Sequence, residues 1–400
     1  MSGPVAPARK IIHVDLDAFY CAVEELRDPP LHNKPFAVGG TPDHRGVVTS
    51  CSYAARKYGV RSAMPMSRAV RLCPQLISVG HHFKDYMRLS EQVMDMLGTY
   101  SSQVQPISID EAFMDVSHLP EEPVAHARKL QAEIREKLGL PASMGIASNK
   151  LVAKVATNVG KASAQTDDYP RAIQVVPPGE ERAFLAPLPT DALWGVGPKT
   201  AERLAELGIQ TVGEIAAYPL KELERHFGQT GTYLHYRALG VDESPVHVSY
   251  ETKSISQEHT FSRDLNDEKQ LRSVIREQAQ SVARRLRRLE LYGSTIKVKL
   301  RWPDFTTITR QNSLPKPTDE PRQIEAVALE IFTKHWKGRR VRLLGVGVSN
   351  LGPPNRQLIL WDWNPRTAEK QQRLQDAVAA LRARYGEAAV SKASKLKVRR

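Results

Sequence analysis

Between Lys10 and Tyr20 the chain alternates Ile12, Val14 and Leu16 with His13, Asp15 and Asp17. A period of two predicts a strand with two carboxylates on an open polar face. A helix is expected through Ala22–Leu26, stopped by Asp28-Pro29-Pro30. PFAVGG (35–40) and VVTSCSY (47–53) read as strands, and AARKYGV as a short helix ended by Gly59. Residues 83–100 repeat apolar positions at helical spacing, as do 120–138 and 149–161. SMGIA (143–147) reads as a strand and PISIDEAFMDVS (106–117) as one long strand or a strand–turn–strand. At the start of the 149–161 helix, Asn149 reads as an N-cap and Lys150 as a surface lysine. Strands and helices alternating on this scale predict an α+β core.

The pattern changes near residue 172. From there to 239 short helices follow one another between glycine-containing turns, an all-α module, and 240–252 carry no helical period and suit a linker. Beyond it the expected elements are strand 253–261, helix 267–291, strands 294–302 and 305–313, helix 321–337 and strand 340–350. That βαββαβ order builds a small sheet with helices on one face. QLILWDW (357–363) is strand-like, a helix is expected at 366–385, and SKASKLKVRR ends the sequence as a basic tail.

Composition narrows the class. Four hundred residues, 41% hydrophobic and 25% charged, can bury several cores. No apolar run reaches the ~20 residues of a membrane helix, and the first ten residues lack a signal-peptide core. Cys21, Cys51 and Cys73 are few, distant and odd in number. That argues against a disulfide scaffold or structural zinc and suits a reducing cytoplasm. The net charge of +13 is unevenly spread: residues 1–250 carry −2, 251–352 carry +8 and 353–400 carry +7. A near-neutral part followed by a basic third suggests a catalytic portion joined to one that grips a polyanion.

Candidate chemistry lies in the acids. Asp110 and Glu111 sit beside apolar Ile107, Ile109 and Phe113, where an adjacent pair of carboxylates needs compensating charge. With Asp15 they supply hard oxygen ligands suited to Mg²⁺ and to phosphoryl transfer. Solvent-exposed acids at two strand ends are the plain alternative. VDLDAFYCAVEE, SYAARKYGVRSAMPMSRA, SIDEAFMDVS and GIASNKLVAKVATNVGKA, in this order, resemble a Y-family translesion DNA polymerase of the bacterial DNA polymerase IV (DinB-like) group. The resemblance runs from about residue 11 to about 350.

The resemblance implies an α+β right-hand polymerase. Its palm would be 1–18 and 82–171, its fingers 19–81, its helical thumb 172–239 and its little finger 253–352. A tail, 353–400, would follow. It implies Asp15 and Asp110 as metal-bridging carboxylates, Glu111 as the third acid, and the Leu16 carbonyl completing a site for two Mg²⁺; Asp17 is ranked structural. Ser50, Tyr53, Arg56 and Lys161 match positions that hold a deoxynucleoside triphosphate, as guanidinium and ammonium groups suit phosphate. Tyr20 stands at the steric gate that excludes ribonucleotides.

For primer–template DNA the candidates are Gly195, Gly197 and Lys199, in a run resembling a helix–hairpin–helix with Pro198 at the first helical position. The strand cations Lys297, Lys299 and Arg301, with Arg339, Arg340 and Arg342, are further phosphate candidates; contacts of this kind are salt-sensitive and blind to sequence. Arg284, Arg285, Arg287 and Arg288 cannot share one helix face, so some are solvated. Gln357, Leu358, Leu360 and Trp361 resemble a sliding-clamp peptide. The expectation is thus a monomeric cytoplasmic low-fidelity polymerase without proofreading. A two-metal nuclease and a non-catalytic DNA-binding protein are the rivals.

Overall fold

The computed structural model describes residues 9–249 and 251–353, with Ala377 and Leu381 beyond them. The expected clamp peptide at 357–361 and the basic tail lie outside the described residues. The chain divides into two compact units: residues up to 252 with 260–265, and residues 253–259 with those from 266 onward.

The first unit is organised by a five-stranded sheet in the order β5-β6-β1-β7-β8. Its strands are β1 (Ile11–Leu16), β5 (Val104–Pro106), β6 (Glu111–Asp115), β7 (Ala142–Ala147) and β8 (Ile173–Val175). β1 is central and antiparallel to β6 and β7. Its apolar residues Ile12, Val14 and Leu16 join a core with helices α1 (Phe19–Arg27), α4 (Phe83–Tyr100) and α5 (Pro123–Leu138).

The other face of β1 is not open, as the alternation led us to expect. Helix α6 (Lys150–Ser163) lies across it, so His13 and Asp17 are fully buried and Asp15 is 9% exposed. Gly145 on β7 permits this approach, since a Cβ there would stand 2.0 Å from the Ala153 carbonyl oxygen and 2.5 Å from the Thr157 nitrogen. Helix α6 begins where expected, capped by the Asn149 side chain accepting from Val152 N. Lys150, by contrast, is buried, because its ammonium donates to Gln105 Oε1 at 3.1 Å and the Pro245 carbonyl at 2.7 Å. It ties the irregular 241–249 segment to the sheet.

A three-stranded sheet, β3-β2-β4, is made from β2 (Phe36–Gly39), β3 (Val48–Cys51) and β4 (Ile77–Val79). Helices α2 (Tyr53–Lys57) and α3 (Met66–Leu72) accompany it, and its small core holds Cys51 and Cys73. The all-α stretch starts a little later than expected, because residues 173–175 pair with β7 in the large sheet. It comprises α7 (Glu181–Leu185), α8 (Pro198–Glu206), α9 (Val212–Ala217), α10 (Leu220–Phe227) and α11 (Gln229–Ala238).

Residues 254–352 have the expected βαββαβ order: β9 (Ser254–Leu265, of which 260–265 group with the first unit), α12 (Glu268–Arg288), β10 (Tyr292–Arg301), β11 (Thr307–Thr318), α13 (Pro321–His335) and β12 (Val341–Gly352). The sheet order is β11-β10-β12-β9. Ile296, Val298, Leu300, Leu344, Val346 and Val348 are buried together with Leu271, Ile275 and Phe332 of the two helices.

Candidate active site

Strand register brings the acids together. Asp15 stands opposite Glu111 in the β1–β6 pair, and Leu16 N donates to the Asp110 carbonyl at 2.9 Å. Two peptides about a hundred positions apart thus end side by side. Above them, α6 presents Lys154, Thr157 and Lys161, spaced three and four residues apart and so on one face. Lys161 Nζ lies 2.7 Å from Asp15 Oδ1 and 3.1 Å from Asp17 Oδ1. Thr157 Oγ1 is hydrogen-bonded to His13 Nδ1 at 2.8 Å, and Lys154 Nζ is 2.7 Å from Glu111 Oε1.

Burial dominates the electrostatics. It pushes the Asp15 carboxyl up to about 7; Lys161 pulls against that, while Glu111 and Asp17 push it further. Burial also raises Asp110, opposed by a hydrogen bond from Ser108 and helped by the charge of Glu111. Desolvation would depress Lys161, but Asp15 and Asp17 overcome it and hold the ammonium above the ordinary lysine value. Buried His13 is held well below its ordinary value by desolvation and by Lys154 and Lys161, so the imidazole is neutral. Asp17 accepts from Ser143 Oγ at 2.9 Å and from Arg171 N at 3.0 Å. These bonds hold it inside the fold, fully buried.

A cleft with about 530 Å³ of free space opens beside these acids, lined by Asp15, Leu16, Tyr20, Ser50, Arg56, Asp110 and Lys161 among others. Seven expected site residues from five chain segments therefore meet there. Tyr20 lies in the first turn of α1, not on a strand end. Its ring stacks on that of Tyr86, with centroids 4.4 Å apart and an angle of 28°. The Tyr86 hydroxyl donates to the buried carboxylate of Glu24, which also meets His82 Nδ1 at 2.8 Å. Arg56 on α2 lies over the Tyr53 ring, its guanidinium carbon 4.4 Å from the centroid, and donates to the Cys51 carbonyl. Tyr53 supports Arg56 from outside the cleft lining, and Glu111 is turned to Lys154.

Metal-binding capacity follows from the donor set. Asp15, Asp110 and Glu111 with the Leu16 carbonyl are hard oxygen donors. The two carboxyls that burial and the charge of Glu111 hold up, Asp15 and Asp110, are those a divalent cation would relieve. The residues fit Mg²⁺. Among the described residues, however, no three acidic, histidine or cysteine side chains converge as a ready-made metal cluster; ammonium groups sit on Asp15 and Glu111 instead.

Thr49 and Ser62, which line the cleft, and Lys154, which pairs with Glu111, were not among the expected site residues. The signal for Lys154 was available: 154, 157 and 161 are polar positions on one face of an otherwise apolar helix.

The expected DNA contacts lie in two places. In the first unit Gly195, with φ of +100°, takes a conformation that favours glycine; Gly195 and Gly197 are exposed ahead of α8, and Lys199 is exposed in its first turn. Gly197 has φ of −88°, and a Cβ there would meet nothing within 4 Å. In the second unit Lys297 and Lys299 face Gly347 and Gly345 across the β10–β12 pair. A groove there is lined by Lys297, Lys299, Ser254, Ser256 and Glu258. Lys299 is paired with Glu258, and Arg301 donates to Thr307 Oγ1 at 2.8 Å. Arg339 pairs with Asp304 at 2.5 Å, Arg342 lies 4.3 Å from the Phe305 ring centroid, and Arg340 is exposed.

Comparison with known proteins agrees along most of the chain. Residues 14–158 match the impB/mucB/samB family, 252–360 match its C-terminal domain, and 191–242 match the DNA polymerase-iota thumb domain. A Y-family DNA polymerase chimera is similar in structure, with a TM-score of 0.75 and 26% identity, covering 86% of this chain and 99% of its own. DinB from Sulfolobus solfataricus aligns with a TM-score of 0.59 and 27% identity, over 85% of this chain and 98% of its own. The fold is therefore that of a Y-family DNA polymerase, with its thumb.

DNA polymerase IV of Dehalococcoides mccartyi strain CBDB1 is 37% identical, covering 94% of this chain and 95% of the relative. That of Halorhodospira halophila is 40% identical over 87% of this chain and 97% of the relative. DNA polymerase IV 1 of Bacillus subtilis is 37% identical over 98% and 94%. The chain belongs to the DNA polymerase IV family and is a DNA-directed DNA polymerase of translesion synthesis and repair. Among the described residues no helix is long and apolar enough to cross a membrane.

Proposed function

We propose that the cleft between Asp15, Tyr20, Arg56, Asp110 and Lys161 is the nucleotide-addition site, working without proofreading. The carrying observation is the convergence of five chain segments on that one cleft. Two Mg²⁺ ions, held by Asp15, Asp110, Glu111 and the Leu16 carbonyl, would activate the primer 3′-hydroxyl and neutralise charge on the departing pyrophosphate.

The chain's own residues do the rest. Arg56, braced by the Tyr53 ring, presents bidentate donors to phosphate oxygens. Lys161 carries its charge on the cleft wall and moves from Asp15 to the triphosphate as nucleotide enters. Ser50 adds a hydroxyl donor. Tyr20, fixed against Tyr86, supplies a flat wall for the sugar and discriminates by shape.

The large sheet with α4–α6 is the palm, the three-stranded sheet unit the fingers, 176–239 the thumb, and 253–352 the little finger. The monomer grips primer–template DNA through the Gly195–Gly197 hairpin and the exposed little-finger sheet. Gly197 supports the first contact, because its open side leaves backbone free for a phosphate and its own backbone conformation does not require glycine. The 357–361 peptide would dock on the sliding clamp.

The test compares deoxy- and ribonucleotide incorporation. Tyr20→Ala should raise ribonucleotide use relative to deoxynucleotide by at least ~100-fold, and Arg56→Ala should raise the deoxynucleotide KM about tenfold. Unchanged sugar preference and KM would remove the nucleotide from this cleft.

A further inference from the structure

We propose that Lys154 is a positioning residue that steers Glu111 during nucleotide transfer, held in place by Trp194 at the mouth of the thumb hairpin. The inference rests on Glu111 acting in the site proposed above.

The two lysines of α6 share a face and differ in surroundings. Lys161 meets two carboxylates and lines the cleft, so a phosphate can draw it away. Lys154 does not line the cleft, and its side chain is only 14% exposed. Its ammonium pairs with Glu111 Oε1 at 2.7 Å and lies 5.9 Å from the centroid of the Trp194 ring.

That ring is partly exposed and has neighbours of its own. It lies 5.7 Å from the Phe113 ring of β6, the Arg237 guanidinium carbon of α11 is 6.0 Å from its centroid, and Arg237 donates to the Trp194 carbonyl at 3.2 Å. Lys154 is thus enclosed by the sheet that carries Glu111 and by the residue immediately before Gly195. A lysine on a surface would lose several rotamers to hold such a pair; here the enclosure has already restricted them.

The ammonium takes one carboxylate oxygen, Oε1, and so limits where the carboxylate can swing. Glu111 sits on the first residue of β6, next to the bend at 108–110. Its side chain therefore needs a partner beyond the backbone to keep one orientation. Trp194 makes that partner part of the thumb, so the segment entering the hairpin braces the acid.

The experiment uses the full chain with primer–template DNA, measuring the single-turnover rate with Mg²⁺. In parallel, nucleotide dissociation is measured on a dideoxy-terminated primer with Ca²⁺, where no chemistry occurs. Lys154→Met should slow the single-turnover step about a hundredfold, the scale of a misplaced reacting group, with nucleotide affinity within about twofold of wild type. Lys154→Arg, which keeps charge and reach, should return the rate to within about tenfold, and Trp194→Ala should cost about tenfold by freeing the lysine.

An unchanged rate in Lys154→Met would overturn the proposal, as would an equal loss in Lys154→Arg. Weakened nucleotide binding would instead make Lys154 a phosphate ligand, which also overturns it. If Lys154→Met does not melt cooperatively, the Arg and Trp194 variants decide alone. Glu111→Gln separates the two levels: activity retained there refutes the role of Glu111, whereas activity lost there but kept in Lys154→Met refutes only the positioning role.

Discussion

Replacing Asp15 by Asn should stabilise the protein while abolishing its chemistry. Asp15 is 9% exposed, and its carboxyl rises from the ordinary 3.8 to about 7, a difference worth at most ~4 kcal/mol. That ceiling already includes the attraction of Lys161, so neutralising the side chain gains by removing desolvation and the repulsion of Glu111 and Asp17. Because the folded pKa lies above the unfolded one, the folded state retains a proton that the unfolded chain has released between pH ~4 and 7. Wild-type stability is therefore lost as pH rises through that window and is level above it. At pH 8 without divalent cation, Asp15→Asn should be more stable by ~2–4 kcal/mol, a Tm increase of at least about 4 °C. The gap should close below pH ~4, where wild-type Asp15 is protonated in both states. Mg²⁺ should narrow it at pH 8 by binding folded wild type alone. Thermal melts of both proteins from pH 3 to 8, with and without Mg²⁺, measure all three. A wild type as stable as Asp15→Asn at pH 8 without metal would refute the view that this site holds unrelieved negative charge.

Gly145→Ala would thrust a Cβ into the backbone of α6; denaturant melts should show a loss of about 3 kcal/mol or more, and extension should fall with it as α6 and Lys161 shift. Lys150→Met should cost ~1–3 kcal/mol by removing the donor to Gln105 and Pro245, and amide exchange should accelerate across 242–247 while the large sheet stays protected. Raising salt should weaken DNA binding steeply, and Lys297→Ala with Lys299→Ala should flatten the slope of log affinity against log salt by about 2.

Local pattern made the acids candidates, whereas the roles of Tyr20, Ser50, Tyr53, Arg56 and Lys161 are what the family resemblance implies. The period-two run at 11–16 and the acids ending the 106–111 stretch sit on strands whose pairing places their ends together. Alternation located the polar face of β1, but the cover over it depends on Gly145 letting α6 approach, a packing fact with no periodic signature. Lys150 looked like surface for the same reason: its partners, Gln105 and Pro245, are 45 and 95 positions away. The alternation runs on toward Tyr20 with nothing in it that marks the strand's end; the left-handed backbone of Ala18, φ 42°, starts the helix at Phe19. Strand 173–175 was missed because three residues give too little pattern, and the parallel partner β7 supplies the missing information. The shared face of 154, 157 and 161 is visible in the sequence, but which acid each lysine meets, Lys154 with Glu111 and Lys161 with Asp15, comes from tertiary contact.

Extension of a labelled primer on a longer template, with Mg²⁺ and deoxynucleotides, tests the central assignment most directly when wild type is set beside Asp110→Asn. The account predicts a lengthened primer with wild type and none with the variant, at equal DNA binding. A primer shortened by wild type, or lengthened equally by Asp110→Asn, would contradict it.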